Sequence, residues 1–150
     1  THQIGGRWEN AYLPVECVPS VKIPMRLARD IVLEKWQKKT AVLFDPIADL
    51  SLSHPPFWFN IAEQGEKTGL HDHARLATVS GVIYLKSEPL AGDLFFRKEG
   101  VTDLCINPED GKMILFPSYL KHGVHVNQSK QRRISLAFNL FPFPFPSVEW

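Results

Sequence analysis

Hydrophobic and polar residues change their spacing along the chain at about Pro56. Before that point, the segment from Met25 to Lys38 repeats its apolar residues at helical spacing: Leu27, Ala28, Ile31, Val32 and Trp36. Residues three or four apart share one face of a helix, and Pro24 suits a helix start. We expect one amphipathic helix here, packed on a sheet, so that one or two helices flank the N-terminal side of the fold.

After Pro56 the pattern changes to short runs of β-forming residues separated by turn residues. We predict eight strands, at residues 57–63, 70–76, 79–86, 93–97, 101–106, 112–116, 122–126 and 132–140. Glycine, proline and asparagine mark the breaks between them. Eight short strands at this spacing predict a mainly β fold with two packed sheets, the jelly roll.

The two ends of the chain predict less regular structure. Residues 1–24 contain three prolines and a Gly5-Gly6 pair, so we expect an irregular lead-in with one short strand near Tyr12 to Val18. From Phe141 to Pro146 proline alternates with phenylalanine, which excludes an interior strand and favours an aromatic strap or a homodimer contact. We divide a single domain, 1–150, into a lead-in and helix (1–56), a β core (57–140) and a tail (141–150).

Composition limits the partners of this domain. A hydrophobic content of 44% over 150 residues suits one substantial core. Lysine plus arginine number 17 against 16 acidic residues, and this net charge of +1 favours neither nucleic acid nor a membrane surface. No apolar run approaches the ~20 residues of a membrane span. Cys17 and Cys105 lie far apart, as is typical of a reduced cytoplasmic protein.

Three histidines form the candidate metal site. His71 and His73 are two residues apart in a predicted strand, so their imidazoles project from one face and can reach one ion. His122, flanked by small and apolar residues on a later strand, would complete the set. For an isolated histidine such as His54 a surface position is the better interpretation. His125 lies three residues after His122 and should face the other side of the strand.

The last predicted strand carries a candidate anion site. Because side chains alternate along a strand, Arg133 and Ser135 share one face, while the apolar residues between and after them can pack a core. A planar guanidinium can bind both oxygens of a carboxylate, and a hydroxyl can add a third bond. Arg132 and Arg133 are both open to a simpler interpretation as solvated charges, and only the alternation of faces selects Arg133. Tyr84, on another strand, is either a carboxylate ligand or a packed aromatic residue.

The stretch from Phe57 to Leu140 resembles the double-stranded β-helix of the 2-oxoglutarate- and Fe(II)-dependent oxygenases. Within them it is most similar to a bacterial and phage subfamily of 2OG-Fe(II) oxygenases. The motifs that carry the resemblance are Trp58-Phe59-Asn60, Gly69-Leu70-His71-Asp72-His73, Ser80-Gly81-Val82-Ile83-Tyr84, Gly92-Asp93-Leu94-Phe95-Phe96, Phe116-Pro117-Ser118-Tyr119-Leu120-Lys121-His122 and Arg133-Ile134-Ser135-Leu136-Ala137-Phe138-Asn139.

The resemblance implies a ligand set, a co-substrate and a reaction. Fe(II) would be held by His71, His73 and His122. The co-substrate 2-oxoglutarate would be bound through its distal carboxylate by Arg133, with help from Ser135, Tyr84 and, more loosely, Asn60. The implied activity is that of a dioxygenase, which uses O₂ to hydroxylate a small molecule or a peptide while 2-oxoglutarate is decarboxylated to succinate and CO₂.

The chain departs from the usual pattern at one position. Oxygenases of this fold usually present His-X-Asp and a distal histidine, whereas this chain has His73 where the aspartate stands, and Asp72 should face away. Three imidazoles also suit Zn, Ni and Cu. An alternative function is therefore a cupin-like three-histidine metalloprotein, an enzyme or a sensor, that does not use 2-oxoglutarate. The loops that would select a substrate have no recognisable signature.

Overall fold

The computed structural model describes residues 2–4, 7–48, 52–73 and 77–144. Within these residues there is one α-helix, α1, which spans Lys22–Trp36 and follows a 3₁₀ turn at Pro19–Val21. The strands in chain order are β1 (His2–Ile4), β2 (Arg7–Ala11), β3 (Thr40–Ala41), β4 (Phe57–Ala62), β5 (Thr68–His71), β6 (Val79–Lys86), β7 (Leu94–Phe96), β8 (Leu104–Ile106), β9 (Met113–Pro117), β10 (His122–Val124) and β11 (Arg133–Pro142).

Within the described residues the strands form two antiparallel sheets. The larger sheet has the order β1-β2-β4-β11-β6-β9, with β3 added beside β11, and the smaller has the order β5-β10-β7-β8. Consecutive strands of the core therefore alternate between sheets in several places, as in a jelly roll. The predicted fold class, a mainly β jelly-roll or cupin-like fold with a flanking N-terminal helix, is confirmed.

The helix packs on the larger sheet through a narrow stripe. Met25, Ala28 and Val32 are each fully buried, and they join a cluster that includes Phe138 and Leu140 of β11. The predicted helix is confirmed but its face is narrower than expected. Leu27 and Trp36 are 52% and 42% exposed, so both lie outside the buried stripe of the helix. No helix among the described residues is long and apolar enough to cross a membrane.

All eight strands predicted after Pro56 are present, with shifts of a few residues at their ends. The strand predicted at 70–76 is β5 and begins at Thr68, and residues 74–76 of that prediction lie outside the described part. The prediction of a strand near Tyr12 to Val18 is wrong. The strand of the lead-in that pairs with the core is β2, which ends at Ala11, and its Asn10 lies opposite Asn60 of β4. The interpretation of residues 1–150 as one domain stays a prediction.

The last strand continues further than its prolines suggest. β11 runs to Pro142, so the predicted boundary between core and tail at residue 141 cuts through a strand. Pairing with β6 ends at Leu140, and Phe141 and Pro142 pair with the two-residue strand β3 alone. A proline is tolerated where one side of a strand has no neighbour. Phe141 is 3% exposed, and residues 145–146 of the predicted strap lie outside the described residues.

Candidate metal and carboxylate site

Pairing between two strands of the smaller sheet brings the candidate metal ligands together. His122 of β10 lies directly opposite His71 at the end of β5. Their ring centroids are 4.4 Å apart, and those of His73 lie 4.9 Å from His71 and 5.3 Å from His122. One ligand nitrogen from each of the three rings lies within 4.8 Å of the others. The sequence predicted that the three rings meet, but it placed His73 on the same strand as His71, whereas His73 lies two residues beyond the end of β5.

Backbone carbonyl groups orient two of these rings. Nδ1 of His71 lies 2.7 Å from the carbonyl oxygen of Gly69, and Nδ1 of His122 lies 2.9 Å from that of Leu120. A carbonyl oxygen only accepts, so each Nδ1 carries the proton and donates. This tautomer leaves Nε2 as a lone-pair donor in both rings, which is how ligating histidines are usually held.

His122 is buried, and burial keeps its ring neutral. The side chain is 5% exposed and contacts Phe116, whose ring centroid lies 4.7 Å away. Burial lowers the pKa of His122 to about 4, while the hydrogen bond to Leu120 acts in the opposite direction. Only the neutral imidazole binds a metal ion. The ring is therefore in its ligating form at neutral pH.

The three donors fit a divalent transition metal. Bonds of about 2.0–2.1 Å would place ligand nitrogens roughly 3–3.5 Å apart, so small side-chain rotations are enough to close the site. Three ligands grouped on one side leave other coordination positions open, as Fe(II) oxygenase chemistry needs. Asp72 is exposed and does not belong to the group of converging ligand atoms, as predicted. The donor set of the described residues here is entirely imidazole.

Arg133 is the buried cation of the site. Its side chain is 1% exposed, although it carries a full charge. One terminal nitrogen donates to the carbonyl oxygen of Ala91 at 2.8 Å, and the other lies 3.4 Å from Oδ1 of Asn60. A guanidinium buried this deeply is fixed in position, and its planar fork matches the geometry of a carboxylate.

Three polar side chains share the face of the larger sheet that carries Arg133, because three neighbouring strands place them in register. Ser135 of β11 lies opposite Asn60 of β4 on one side and opposite Tyr84 of β6 on the other. Directly opposite residues of an antiparallel pair project from the same face of the sheet. All three are buried, with exposures of 5%, 8% and 2% respectively. Arg133 and Ser135 therefore share one face of β11, as the alternation of side chains along a strand predicted.

Tyr84 remains a hydrogen-bond donor at every physiological pH. Burial raises its pKa to about 12, and the nearby positive charge of Arg133 offsets part of that effect. The negative charge of Asp93 adds to the increase. A neutral phenol hydroxyl beside a guanidinium can complete the binding of a carboxylate oxygen.

One cavity of about 560 Å³ joins these two groups of residues. It is lined by all seven residues predicted from the sequence: Asn60, His71, His73, Tyr84, His122, Arg133 and Ser135. The histidines come from the smaller sheet and its flanking loop, whereas the carboxylate-binding residues come from the larger sheet. The structure thus brings the predicted residues to one place, and their roles stay predictions.

Sequence reasoning missed part of the cavity, which we name the aromatic wall (Tyr12, His54 and Trp58). Tyr12 and His54 stack with centroids 4.4 Å apart and planes at 17°, and Trp58 lies 6.1 Å from Tyr12. Trp58 also lies 5.3 Å from His73, so the wall adjoins the candidate metal site. His54 is exposed, as predicted, but it lines the cavity. No local pattern links residues 12 and 54.

The rival residues lie elsewhere. His125 is exposed and stacks on Phe95, with ring centroids 4.5 Å apart, on the far side of β10 from His122. Arg132 is exposed and pairs with Glu63 at 2.6 Å. Both residues therefore face away from the cavity, as the alternation of side chains along their strands predicted.

The sequence of residues 97–139 matches the model of a protein family described as "Putative 2OG-Fe(II) oxygenase". The resemblance to the 2OG-Fe(II) oxygenases is confirmed. The matched segment runs from the end of β7 through most of β11 and contains His122, Arg133 and Ser135. It does not extend to His71 or His73. No curated protein matches the chain.

Solved structures of 2OG-Fe(II) oxygenases share the fold. A Burkholderia pseudomallei oxidoreductase of the 2OG-Fe(II) oxygenase family has a TM-score of 0.53 and 20% identity, covering 57% of this chain and 42% of that one. A Phytophthora capsici prolyl 4-hydroxylase has a TM-score of 0.57 and 15% identity, covering 84% and 43%. The α-ketoglutarate-dependent carbocyclase SnoK from nogalamycin biosynthesis has a TM-score of 0.50 and 13% identity, covering 57% and 49%. The chain therefore spans less than half the length of each.

Proposed function

We propose that this protein is an Fe(II)- and 2-oxoglutarate-dependent dioxygenase that hydroxylates a small molecule or a peptide. The observation that carries the proposal is the shared cavity, which is lined by three converging imidazoles and by a buried guanidinium. Three imidazoles alone would also suit a simple metal site, and a buried guanidinium alone would suit a structural arginine. Together they would bind both ends of 2-oxoglutarate, the keto-acid end at the metal and the distal carboxylate at the guanidinium. The matched family supports the same activity.

His71, His73 and His122 would hold Fe(II). When bound with 2-oxoglutarate and O₂, the iron supplies the oxidative chemistry that converts the co-substrate to succinate and CO₂ and hydroxylates the substrate. The protein's part is to present three neutral nitrogens on one side only. The backbone acceptors at Gly69 and Leu120 fix two of those rings before the metal arrives.

Arg133, Tyr84, Ser135 and Asn60 would hold the distal carboxylate of 2-oxoglutarate. Arg133 supplies the charge, and the hydroxyl groups of Tyr84 and Ser135 donate from the same face of the sheet. Asn60 contacts the guanidinium and so would also hold it in position beside the carboxylate. With this end fixed, the keto-acid end can reach the metal in one orientation only, which is the entropic advantage of a preorganised site.

The aromatic wall would bind the substrate beside the metal. Trp58 is 8% exposed, so its ring is fixed, and it lies next to His73. Tyr12 and His54 extend the same surface outward through their stacked rings. Flat aromatic side chains bind apolar or planar groups through dispersion and stacking at low entropic cost. We therefore expect a substrate that presents an apolar or ring-shaped group near the carbon that is hydroxylated.

The proposal is tested by anaerobic titration of the Fe(II) protein with 2-oxoglutarate, recording the visible metal-to-ligand charge-transfer band. We expect the band to appear at one equivalent. Arg133→Gln should require roughly 10–100-fold more 2-oxoglutarate, since a hydrogen bond to a charged group contributes about 1.5–3 kcal/mol. Bound Fe(II) should be unchanged in this variant. Arg132→Gln is the matched control, because that side chain is exposed and pairs with Glu63.

The same experiment separates the alternatives. A protein that binds stoichiometric Fe(II) but never develops the band would be the cupin-like metalloprotein, and the dioxygenase proposal would be rejected. His122→Ala should abolish stoichiometric Fe(II) binding, because two imidazoles remain. If that variant keeps the full amount of iron, the ligand assignment is wrong. Circular dichroism of each variant shows whether it is folded.

A further inference from the structure

A second group of metal-binding side chains lies on the outer face of the smaller sheet. Asp93, Cys105 and His125 place one ligand atom each within 4.8 Å of one another. None of the three lines the cavity that contains His71, His73 and His122. We propose that Asp93, Cys105 and His125 form a second site for a divalent cation that favours sulfur and nitrogen ligands, with Zn(II) as the best fit.

Strand register explains why these residues meet. Cys105 of β8 lies directly opposite Phe95 of β7, which in turn lies opposite Gly123 of β10. Asp93 is two residues before Phe95 and His125 two residues after Gly123, so a period of two assigns all of them to one face. His122 is three residues from His125 and projects from the other face. The two candidate sites are therefore separated by the thickness of the sheet.

The backbone holds two of the three ligands at a fixed separation. The N–H of His125 donates to the carbonyl oxygen of Asp93 at 2.9 Å. Gly92 permits this approach, because a Cβ there would lie 2.2 Å from the carbonyl oxygen of His125. The imidazole of His125 is itself fixed by stacking on Phe95, with planes at 14°. The site is thus built on strand ends that are tied together.

The charges of the surrounding residues also favour a cation. Arg97 lies over the Phe95 ring at 5.0 Å and would oppose a metal ion, but Asp103 offsets its charge through hydrogen bonds of 2.7 and 3.0 Å. With Asp93 and the thiolate that a bound metal ion would form at Cys105 by displacing its proton, these four groups would carry a net charge of −2. A divalent cation would neutralise it.

The donor set indicates which metal. Thiolate, imidazole and carboxylate are the three ligand types of protein zinc sites, with bonds of about 2.0–2.3 Å. Cys105 is exposed, and its side chain can rotate by the small amount that closing the site requires. Three protein ligands leave a fourth tetrahedral position for water or for another group. The sulfur ligand distinguishes this site from the all-imidazole set in the cavity.

Co(II) tests the proposal in the wild-type protein, because thiolate ligation produces a near-ultraviolet charge-transfer band that imidazole ligation does not. We expect one such band per chain, displaced by Zn(II). Cys105→Ser should abolish it, and His125→Gln and Asp93→Asn should each weaken Co(II) binding at least tenfold. Cys17→Ser is the matched control, since Cys17 is the other exposed free cysteine of the described chain, and it should leave the band unchanged.

Alkylation by iodoacetamide gives a second readout that does not depend on the cavity site. Zn(II) should slow the alkylation of Cys105 at least tenfold and leave that of Cys17 unchanged. Absence of the thiolate band would overturn the proposal, as would its loss in Cys17→Ser. Equal bands in wild type, His125→Gln and Asp93→Asn would also overturn it, because they would show an adventitious thiol complex at Cys105 without the other two ligands.

Discussion

His122 is a buried imidazole, and its burial makes the stability of the metal-free protein depend on pH. Its pKa is lowered to about 4 in the folded protein, from 6.5 when exposed. Between these values the unfolded chain binds a proton that the folded chain does not, so the free energy of unfolding falls as the pH falls. From pH 7.5 to 5.0 this one ring should cost about 2 kcal/mol.

Urea unfolding in the presence of EDTA measures this contribution at the two pH values. His122→Gln keeps a side chain of similar size that does not titrate, and other groups titrate alike in both proteins. The loss of unfolding free energy on acidification should therefore be about 2 kcal/mol smaller in the variant. Equal losses in the two proteins would show that His122 is protonated as readily in the folded state as in the unfolded state.

At this scale, local alternation along strands predicted much of the candidate site. Arg133 and Ser135 follow from a period of two, as does the choice of His122 over His125, because the direction of a side chain on a strand is fixed by its neighbours in sequence. Tyr12 and His54 could not be found in this way. Their stacking joins residues 42 positions apart, and only the folded chain brings them together.

At the scale of elements, a turn glycine controls how the β6–β7 connection meets the end of β10. Gly92 has φ +96, and an added Cβ would meet the carbonyl oxygen of His125 at 2.2 Å. Gly100, in the β7–β8 turn, has φ +74 and open space around it. Gly100→Ala should therefore cost about 1–2 kcal/mol for the left-handed backbone alone. Gly92→Ala should cost roughly 1–3 kcal/mol more, because backbone atoms must move.

Chemical denaturation measures the free energy of unfolding that each alanine variant loses. Both glycines have a positive φ, so the difference between the two losses reports the steric contact at Gly92. If the two variants lose the same free energy of unfolding, the close approach of Gly92 to His125 does not occur in solution. A larger loss for Gly92→Ala supports that approach, on which the geometry of Asp93 and His125 also depends.

Sequence patterns predicted the longer elements and missed the shorter ones for a physical reason. Helix α1 and the eight strands after Pro56 have enough residues to show a period. β3 has only two residues, and it is a strand because Phe141 and Pro142 offer it partners. The same pairing extends β11 past the boundary predicted from its prolines. Such short strands depend on tertiary contacts that no window of sequence contains.

At the scale of the whole molecule, the candidate site joins the two sheets. The smaller sheet contributes His71 and His122, and the larger contributes Arg133, Ser135 and Tyr84. The order of strands in each sheet determines which residues of the two sheets come together, and this order was not predicted from the sequence. The histidines, Arg133 and Ser135 could be named in advance from their spacing and from alternation along strands, whereas the role of Tyr84 came from the resemblance to a family. Their distances could not, because they depend on how the sheets close.

A ligand that contacts both sheets should stabilise them together, and this is measurable by thermal unfolding with Mn(II) as a redox-stable substitute for iron. Metal at 100 times its Kd adds about 2.7 kcal/mol, which for a chain of this length is roughly 5–10 °C in Tm. With Mn(II) present, 2-oxoglutarate should raise Tm further than it does alone, because the metal fixes one end of the dicarboxylate and Arg133 the other. Arg133→Gln should keep the increase due to metal and lose this extra increase. If the increases due to Mn(II) and to 2-oxoglutarate are simply additive, no single ligand connects the imidazoles of one sheet with the guanidinium of the other.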